Sequence, residues 1–440
     1  MYTERYMFLI IKTNHERKKN MKKLLSVLLV LCMVCSLGAA ALAEGLKGDL
    51  EVGILLAEGT TGYQIITEAG DKFMEENPGL EIEYTFANTK ARSFMDQRWR
   101  SGDAPDTDYF VFNAQVPSTY EFTEYLLDLK PYLDADPEWR DSFYDSYDSI
   151  THLGDAVYGV ISDCHILALY YNKAYFDDWG IKVPETWDEF LTACETLKAH
   201  DVDPIAVTGT YTPYMGMWTD YLMMREIGYD NAKEAVLNGK MSENPGIVRA
   251  IEKAKVLVDN KYLLDGFEGT DFTAAQVQFF QGKCGMILMG TWLSSEMADS
   301  IPADFQLGIT TFPTVDDADE GVDQTEVLSH NNIISINKDS ENLDAAIAWA
   351  KYFTSEEVQS VRAQRTNLIS AVKTVPVPTG TYGLAEAVAN AGPREVRFFG
   401  LEFQADKQTA LYNEVAKLFF GEYTVEQFLA AADGVMQALK

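Results

Sequence analysis

Past residue 23 the chain has no block of lysines and arginines. A nucleic-acid binder needs a basic footprint, so that class is excluded. Positive charge is scarce throughout: 36 Lys and Arg stand against 67 Asp and Glu, a net charge of −31. Such acidity favours solubility and disfavours anionic membranes and polyphosphates as partners. Cysteines number five, and Cys32 and Cys35 fall in the N-terminal segment. The other three, Cys164, Cys194 and Cys284, are scattered without a CxxC, which excludes a disulfide framework and a thiolate zinc site. Cys194 shares a helical face with Phe190 and Leu197 and reads as core. Histidines are also five; those at 152, 165, 200 and 330 have no partner at helical spacing, so no metal site is expected. The chain lacks Gly-x-Ser-x-Gly, His-Glu-x-x-His and a phosphate-binding glycine loop. Acid pairs are too plentiful to single out a glycoside hydrolase. After the N-terminal segment no apolar run approaches ~18 residues, the length needed to cross a bilayer.

That N-terminal segment reads as a targeting signal. Met21-Lys22-Lys23 is a basic start, Leu24–Leu37 an apolar stretch, and Ala41-Leu42-Ala43 a small-x-small cleavage site before Glu44. Residues 1–20 precede this internal methionine and read as a start set too early. Leu31 and Val34, not small residues, precede Cys32 and Cys35, which argues against a lipid anchor there. Loss of residues 1–43, with seven Lys/Arg and two Asp/Glu, takes the net charge from −31 to −36.

What remains suits two lobes of roughly 150–200 residues each. Hydrophobic residues make up 47%, a globular composition, and aromatics reach 12%. Aromatics in excess of core needs often line binding surfaces. Elements alternate, which favours an α/β fold. Asp49–Leu56 reads as a strand and Gly62–Glu76 as a helix stopped by Asn77-Pro78-Gly79. Leu80–Phe86 alternates apolar and polar residues, the period of a strand. Strands are also expected at Tyr109–Phe112, Ile166–Tyr171, Ile205–Thr208, Gly285–Met289, Phe305–Thr311 and Ile333–Ile336. Helices are expected at Ala91–Arg100, Met215–Ile227, Pro245–Tyr262, Phe272–Gln281, Leu343–Phe353 and from Ser355 to about Gln364. Two further helices open on capping boxes, Thr186-Trp187-Asp188-Glu189 and Thr424-Val425-Glu426-Gln427.

Three segments resemble the extracellular solute-binding protein family 1, the sugar-binding components of ABC importers. Phe279-Phe280-Gln281-Gly282-Lys283-Cys284-Gly285-Met286, running on to Gly290-Thr291-Trp292, is similar to that family's F-x-x-G-K-x-A-M-x-x-x-G-x-W block, with Gly285 in place of Ala. Tyr158-Gly159-Val160, Leu169-Tyr170-Tyr171-Asn172-Lys173 and Pro184-Glu185-Thr186-Trp187-Asp188-Glu189-Phe190 resemble its crossover strand and a helix start, with Ile161 in place of the usual Pro. Ile336–Gln359, with Leu343, Ala345, Ala346, Trp349 and Phe353, resembles a third segment. With the turns Asn77-Pro78-Gly79 and Ala104-Pro105-Asp106, the likeness runs in order along nearly the whole chain.

The resemblance implies an α/β fold of two Rossmann-like lobes with discontinuous connectivity, periplasmic-binding-protein-like of type II, closing about a hinge on a sugar. Lobe one would comprise residues 44–160 and 333–385, lobe two 164–328 and 390–440, with crossings at 161–163, 329–332 and 386–389. It implies an exported protein, periplasmic or at the cell surface, with a carbohydrate ligand, ABC permease subunits as partners, no cofactor, no catalysis and a monomeric state. A same-fold binder of a polyamine, which would use acids and aromatics, and a secreted glycoside-active enzyme are the alternatives. Trp292, after Gly290-Thr291 at a strand end, is the expected stacking residue. Tyr214 and Trp218 follow Pro213 at a helix entry, with core packing as their competing role. Asn113 at a strand end, Asp163 in the first crossing, His330 and Asn331 in the second, and Glu58 and Thr60 after the first strand complete the expected ligand contacts.

Overall fold

The computed structural model describes residues 45–54, 56, 58–86, 92–113, 122–144, 152–153, 155–329, 331–379, 381–390, 395–397, 399 and 405–439. The expected signal segment and His330 lie outside the described residues. Apart from a pairing of His152–Leu153 with Ala156–Val157, the strands are β1 (Lys47–Ile54), β2 (Gly79–Phe86), β3 (Thr107–Asn113), β4 (Val160–Asp163), β5 (Leu167–Asn172), β6 (Asp203–Ala206), β7 (Cys284–Gly290), β8 (Leu307–Thr310), β9 (Val327–Ser329), β10 (Asn332–Ile336) and β11 (Glu395–Arg397).

Two sheets carry the fold. The first has order β2–β1–β3–β10–β4, and the second β8–β5–β7–β6. In the first, β1 runs parallel to β2 and β3, while β10 runs antiparallel to both β3 and β4. A strand from far along the chain therefore completes a sheet begun near the N-terminus. In the second, β6 lies parallel to β7, and β5 runs antiparallel to β7 and β8. Every residue of β5 and β7 is buried, as strands covered on both faces must be.

The helices used below are α1 (Thr61–Glu76), α2 (Trp187–Ala199), α3 (Pro213–Ile227), α4 (Pro245–Asp259), α5 (Phe272–Phe280), α6 (Leu293–Glu296), α7 (Leu343–Phe353), α8 (Glu356–Thr366), α9 (Ala405–Phe419) and α10 (Val425–Ala438). Leu50, Val52 and Ile54 of β1 pack with Phe73 of α1 and with Trp349 and Phe353 of α7 in one core. A larger core gathers β5, β7 and α2 to α5. The C-terminal helices belong to this second core: the Tyr412 hydroxyl of α9 donates to Asp220 on α3 at 2.8 Å, and Asp433 of α10 accepts from the Met241 N–H at 2.7 Å.

The local signals hold with two adjustments. Thr424 and Gln427 form the full reciprocal box at the start of α10. At α2 Thr186 accepts from the Glu189 N–H, but the Glu189 carboxylate returns to the Glu185 N–H at 2.9 Å, one residue earlier than a capping box requires. Gly285, standing where the resembled family has alanine, is set by packing: a Cβ there would meet the Leu197 side chain at 2.4 Å. The chain also reaches the second sheet earlier than the 386–389 crossing expected. The Tyr382 N–H donates to Leu307 at 3.0 Å, and the Ile309 N–H donates to Tyr382 at 2.8 Å, so residues from 381 onward already lie along β8. Among the described residues no helix is long and apolar enough to cross a membrane.

Candidate functional site

The carboxyl ends of β1 and β3 and of the parallel pair β6 and β7 are where an open α/β sheet offers a ligand space. At the end of β7 the chain passes through Gly290 and Thr291 into α6. Thr291 is buried and fixed through both its backbone and its side chain. Its N–H donates to Ile166 at 3.0 Å, and its Oγ1 accepts from the Ile166 N–H at 3.3 Å. Trp292 comes next and is half-buried. Its ring covers Gly290 so closely that a Cβ at Gly290 would lie 2.0 Å from it. His165, in the segment between β4 and β5, stands edge-on to the indole with centroids 5.2 Å apart. Burial pushes His165 down to about 4, so it meets Trp292 as neutral imidazole.

Tyr214, in the first turn of α3, brings its hydroxyl to the Trp292 indole, and burial holds that hydroxyl well above its usual pKa. Phe272 at the start of α5 packs on Tyr214 at 4.7 Å, and Tyr211, 53% exposed, lies 5.4 Å from Tyr214. These rings form one aromatic wall on the second sheet's side. The first sheet's side comes close to it, since α6 touches both α1 and α8. Just beyond α6, Asp299 accepts a hydrogen bond from Thr61 Oγ1 at 3.1 Å. The wall therefore stands where the two units meet.

The other expected contacts divide. Trp218 is corrected: it is 1% exposed, packed on Phe190 and Phe312 with centroids 5.6 and 5.8 Å away, and it has no face to offer. Asp163 is also corrected. It is 1% exposed, ion-paired with Arg362 of α8, and accepts from the Tyr109 hydroxyl at 2.5 Å. The same guanidinium donates to the Tyr109 hydroxyl at 2.5 Å and to the Ser162 carbonyl at 3.0 Å, so the carboxylate is spent inside the protein. Asn331 is buried and accepts from the His165 N–H at 3.1 Å, tying the two crossings together. Asn113 ends β3 opposite Asn332, and nothing beyond its backbone is described. Thr60 caps α1 by accepting from the Tyr63 N–H at 3.4 Å, and Glu58 is exposed in the turn before it. Trp292 and Tyr214 are thus brought together, while Trp218 and Asp163 are not part of the wall.

Residue patterns gave no notice of His165, Phe272 or Arg362. His165 follows a crossing strand and Phe272 starts a helix after Asp271, but neither sits in a pattern that separates wall from core.

The sequence model of the bacterial extracellular solute-binding proteins matches residues 57–360. The chain belongs to that family. It is 25% identical over 288 residues to the multiple sugar-binding protein of Streptococcus mutans, covering 64% of this chain and 66% of that one. It is 24% identical over 284 residues to a probable sugar-binding periplasmic protein of Rhizobium meliloti, covering 61% and 65%. The matched stretch thus spans just under two thirds of these relatives. Among solved structures, one from work on xylan utilization by Caldanaerobius polysaccharolyticus superposes with a TM-score of 0.78 at 23% identity, over 89% of this chain and 100% of that one. The RafE solute-binding protein in complex with raffinose superposes with a TM-score of 0.73 at 19% identity, over 90% and 100%. These likenesses establish the α/β architecture expected from the sequence; the two relatives and RafE are binding proteins.

Gly290 offers a test of the wall that needs no ligand. A Cβ there must push the indole aside or strain the end of β7. Gly290→Ala is expected to destabilise the free protein by about 1–3 kcal/mol, the usual result of overpacking, and to shift tryptophan fluorescence. A melt and spectrum identical to the parent would show that the ring does not rest on Gly290.

Proposed function

We propose that this family member captures a carbohydrate between two lobes built on the two sheets and delivers it to the permease of an ABC importer. The observation that carries this reading is the half-exposed Trp292, joined by Tyr214, at a strand end where the two units meet. Sugars present apolar C–H faces and polar edges, and an aromatic ring takes the face. The names of the relatives support the ligand class. In this reading the lobes meet at crossings near 161–163 and 329–332 and at a third that ends before Tyr382, where the chain pairs with β8. Residues 21–43 act as an export signal, and the mature protein works outside the cytoplasmic membrane as a monomer without changing its ligand.

Calorimetric titration with raffinose, xylotriose and chitobiose, with spermidine as the polyamine arm, tests the reading. Binding of a sugar and not of spermidine is expected. Spermidine binding alone would replace carbohydrate by polyamine. Trp292→Ala should weaken the bound sugar by roughly 5- to 150-fold, since a ring stack contributes on the order of 1–3 kcal/mol and ~1.4 kcal/mol is a factor of ten. Contacts from both lobes exist only when the lobes are closed, so ligand shifts the equilibrium to the closed form. Scattering should then show a smaller radius of gyration with sugar than without.

A further inference from the structure

The first two crossings lie side by side as a short ribbon. On the first sheet's side Asp163 pairs with Asn332, and on the second sheet's side Ile166 pairs with Ser329. Between them the Asn331 amide oxygen accepts from the His165 N–H at 3.1 Å. Asp163 is held by Arg362 and the Tyr109 hydroxyl, and Ser162 Oγ donates to the Asn332 carbonyl at 3.1 Å. The side chain of Asn332 is not held in this way. Asn332 is 1% exposed, and neither its Oδ1 nor its Nδ2 makes a hydrogen bond among the described residues. A primary amide brings two donors and an acceptor, and burial strips them of water. Native proteins pair such groups almost without fail, so one left alone is a store of strain.

The place of Asn332 in the sheet says what relieves the strain. It stands opposite Asn113, the last residue of β3, and the ladder shifts register just after Asn332 on both sides, toward β3 and toward β4. A shifted ladder is where a strand bends. The carboxyl end of β3 is also the edge of the first sheet that faces the space between the units. Here the units touch, α6 against α1 and α8, and Asp299 against Thr61 at 3.1 Å. Parting them uncovers this end of the sheet and brings water to the amide.

We propose that Asn332 is a spring in the hinge: its amide goes unpaired while the lobes touch and is hydrated when they part, which holds the ligand-free protein toward the open form. The inference rests on the two-lobe reading above. A ligand that binds between the lobes then works against the spring. Its apparent affinity is reduced by the fraction of protein already closed, by the same factor whichever sugar is bound. Replacing the amide with an apolar side chain of similar size removes the penalty of closing and leaves the contacts to the sugar as they were.

The test uses the full mature protein with Asn332→Leu, close to asparagine in size, and Asn332→Val, a good strand former. In scattering without sugar, both variants are expected to have a smaller radius of gyration than the parent. Calorimetric titration with raffinose, xylotriose and chitobiose should show every sugar that binds the parent held about 10-fold tighter, a gain of ~1.4 kcal/mol, by one common factor. An unchanged or larger radius without sugar, or weaker binding, overturns the spring. A change that differs among the sugars overturns it too, because the side chain would then be touching the ligand. Failure of both variants to fold also overturns it, by showing that the amide holds β10 in place. If no sugar binds the parent, the carbohydrate reading fails, and the radius without sugar still decides the spring.

Discussion

Arg362→Ala is expected to lower the free energy of unfolding by about 3–5 kcal/mol, the loss seen when one partner of a buried ion pair is removed. Arg362 lies in α8 and is 6% exposed, and Asp163, its partner, ends the crossing strand β4. Burial alone would lower the guanidinium pKa, but the Asp163 charge outweighs it, so the guanidinium stays charged in the interior. Removing the guanidinium leaves Asp163 with the Tyr109 hydroxyl and no cation, at 1% exposure. It also strips a donor from the Ser162 carbonyl, whose residue is buried as well. Asp163→Asn should cost less, because the amide still accepts from Tyr109 and leaves no charge on its own side. Urea unfolding curves of the two single variants and of Arg362→Met with Asp163→Leu decide the matter. The double variant should recover much of the loss, since an apolar pair of similar bulk replaces the ions. Equal stability of Arg362→Ala and the parent would mean that the pair contributes nothing to the crossing.

This pair also shows where sequence reasoning ends. The strands and helices were legible because their signals are local: the Leu80–Phe86 alternation, the Asn77-Pro78-Gly79 stop, and the Thr424 box lie within a few residues of the element they define. The partner of Asp163 lies 199 residues away, and nothing in the pattern around Arg362 points to it. An acid in a crossing reads as a ligand contact until its guanidinium is seen. The early return of the chain to the second sheet at Tyr382 was hidden for the same reason, since pairing with β8 depends on Leu307 and Ile309 and not on residues near 382. Trp292 was legible because a glycine stands two residues before it at a strand end, and the close approach of ring to Gly290 is what that spacing provides. His165 was not, because a lone histidine carries no periodic signal.

The sharpest contrast lies between two tryptophans, Trp292, the expected stacking residue, and Trp218, for which core packing was the competing role. Trp218→Ala is expected to destabilise the ligand-free protein by about 3–5 kcal/mol, the usual range for a buried tryptophan. Tyr214 and Trp218 are one turn apart on α3, so spacing places them on the same side. That helix is buried from Met215 to Ile227 without interruption, so periodicity cannot tell its wall end from its core end. The structure separates them by depth. Tyr214 is partly exposed in the first turn, whereas Trp218, one turn further in, fills the space between Phe190 of α2 and Phe312. Phe312 in turn lies stacked on Tyr221 at 4.4 Å, and the Arg225 guanidinium caps the same rings at 5.3 and 6.0 Å. Emptying the indole volume therefore loosens a connected aromatic layer beneath the wall, not the wall itself. Trp218→Ala should lower the melt steeply while the folded fraction keeps sugar affinity within a few-fold of the parent. Trp292→Ala should do the reverse, losing affinity with little change in the ligand-free melt. A Trp218→Ala protein that melts like the parent but binds sugar poorly would return Trp218 to the ligand and contradict the packing described for α3.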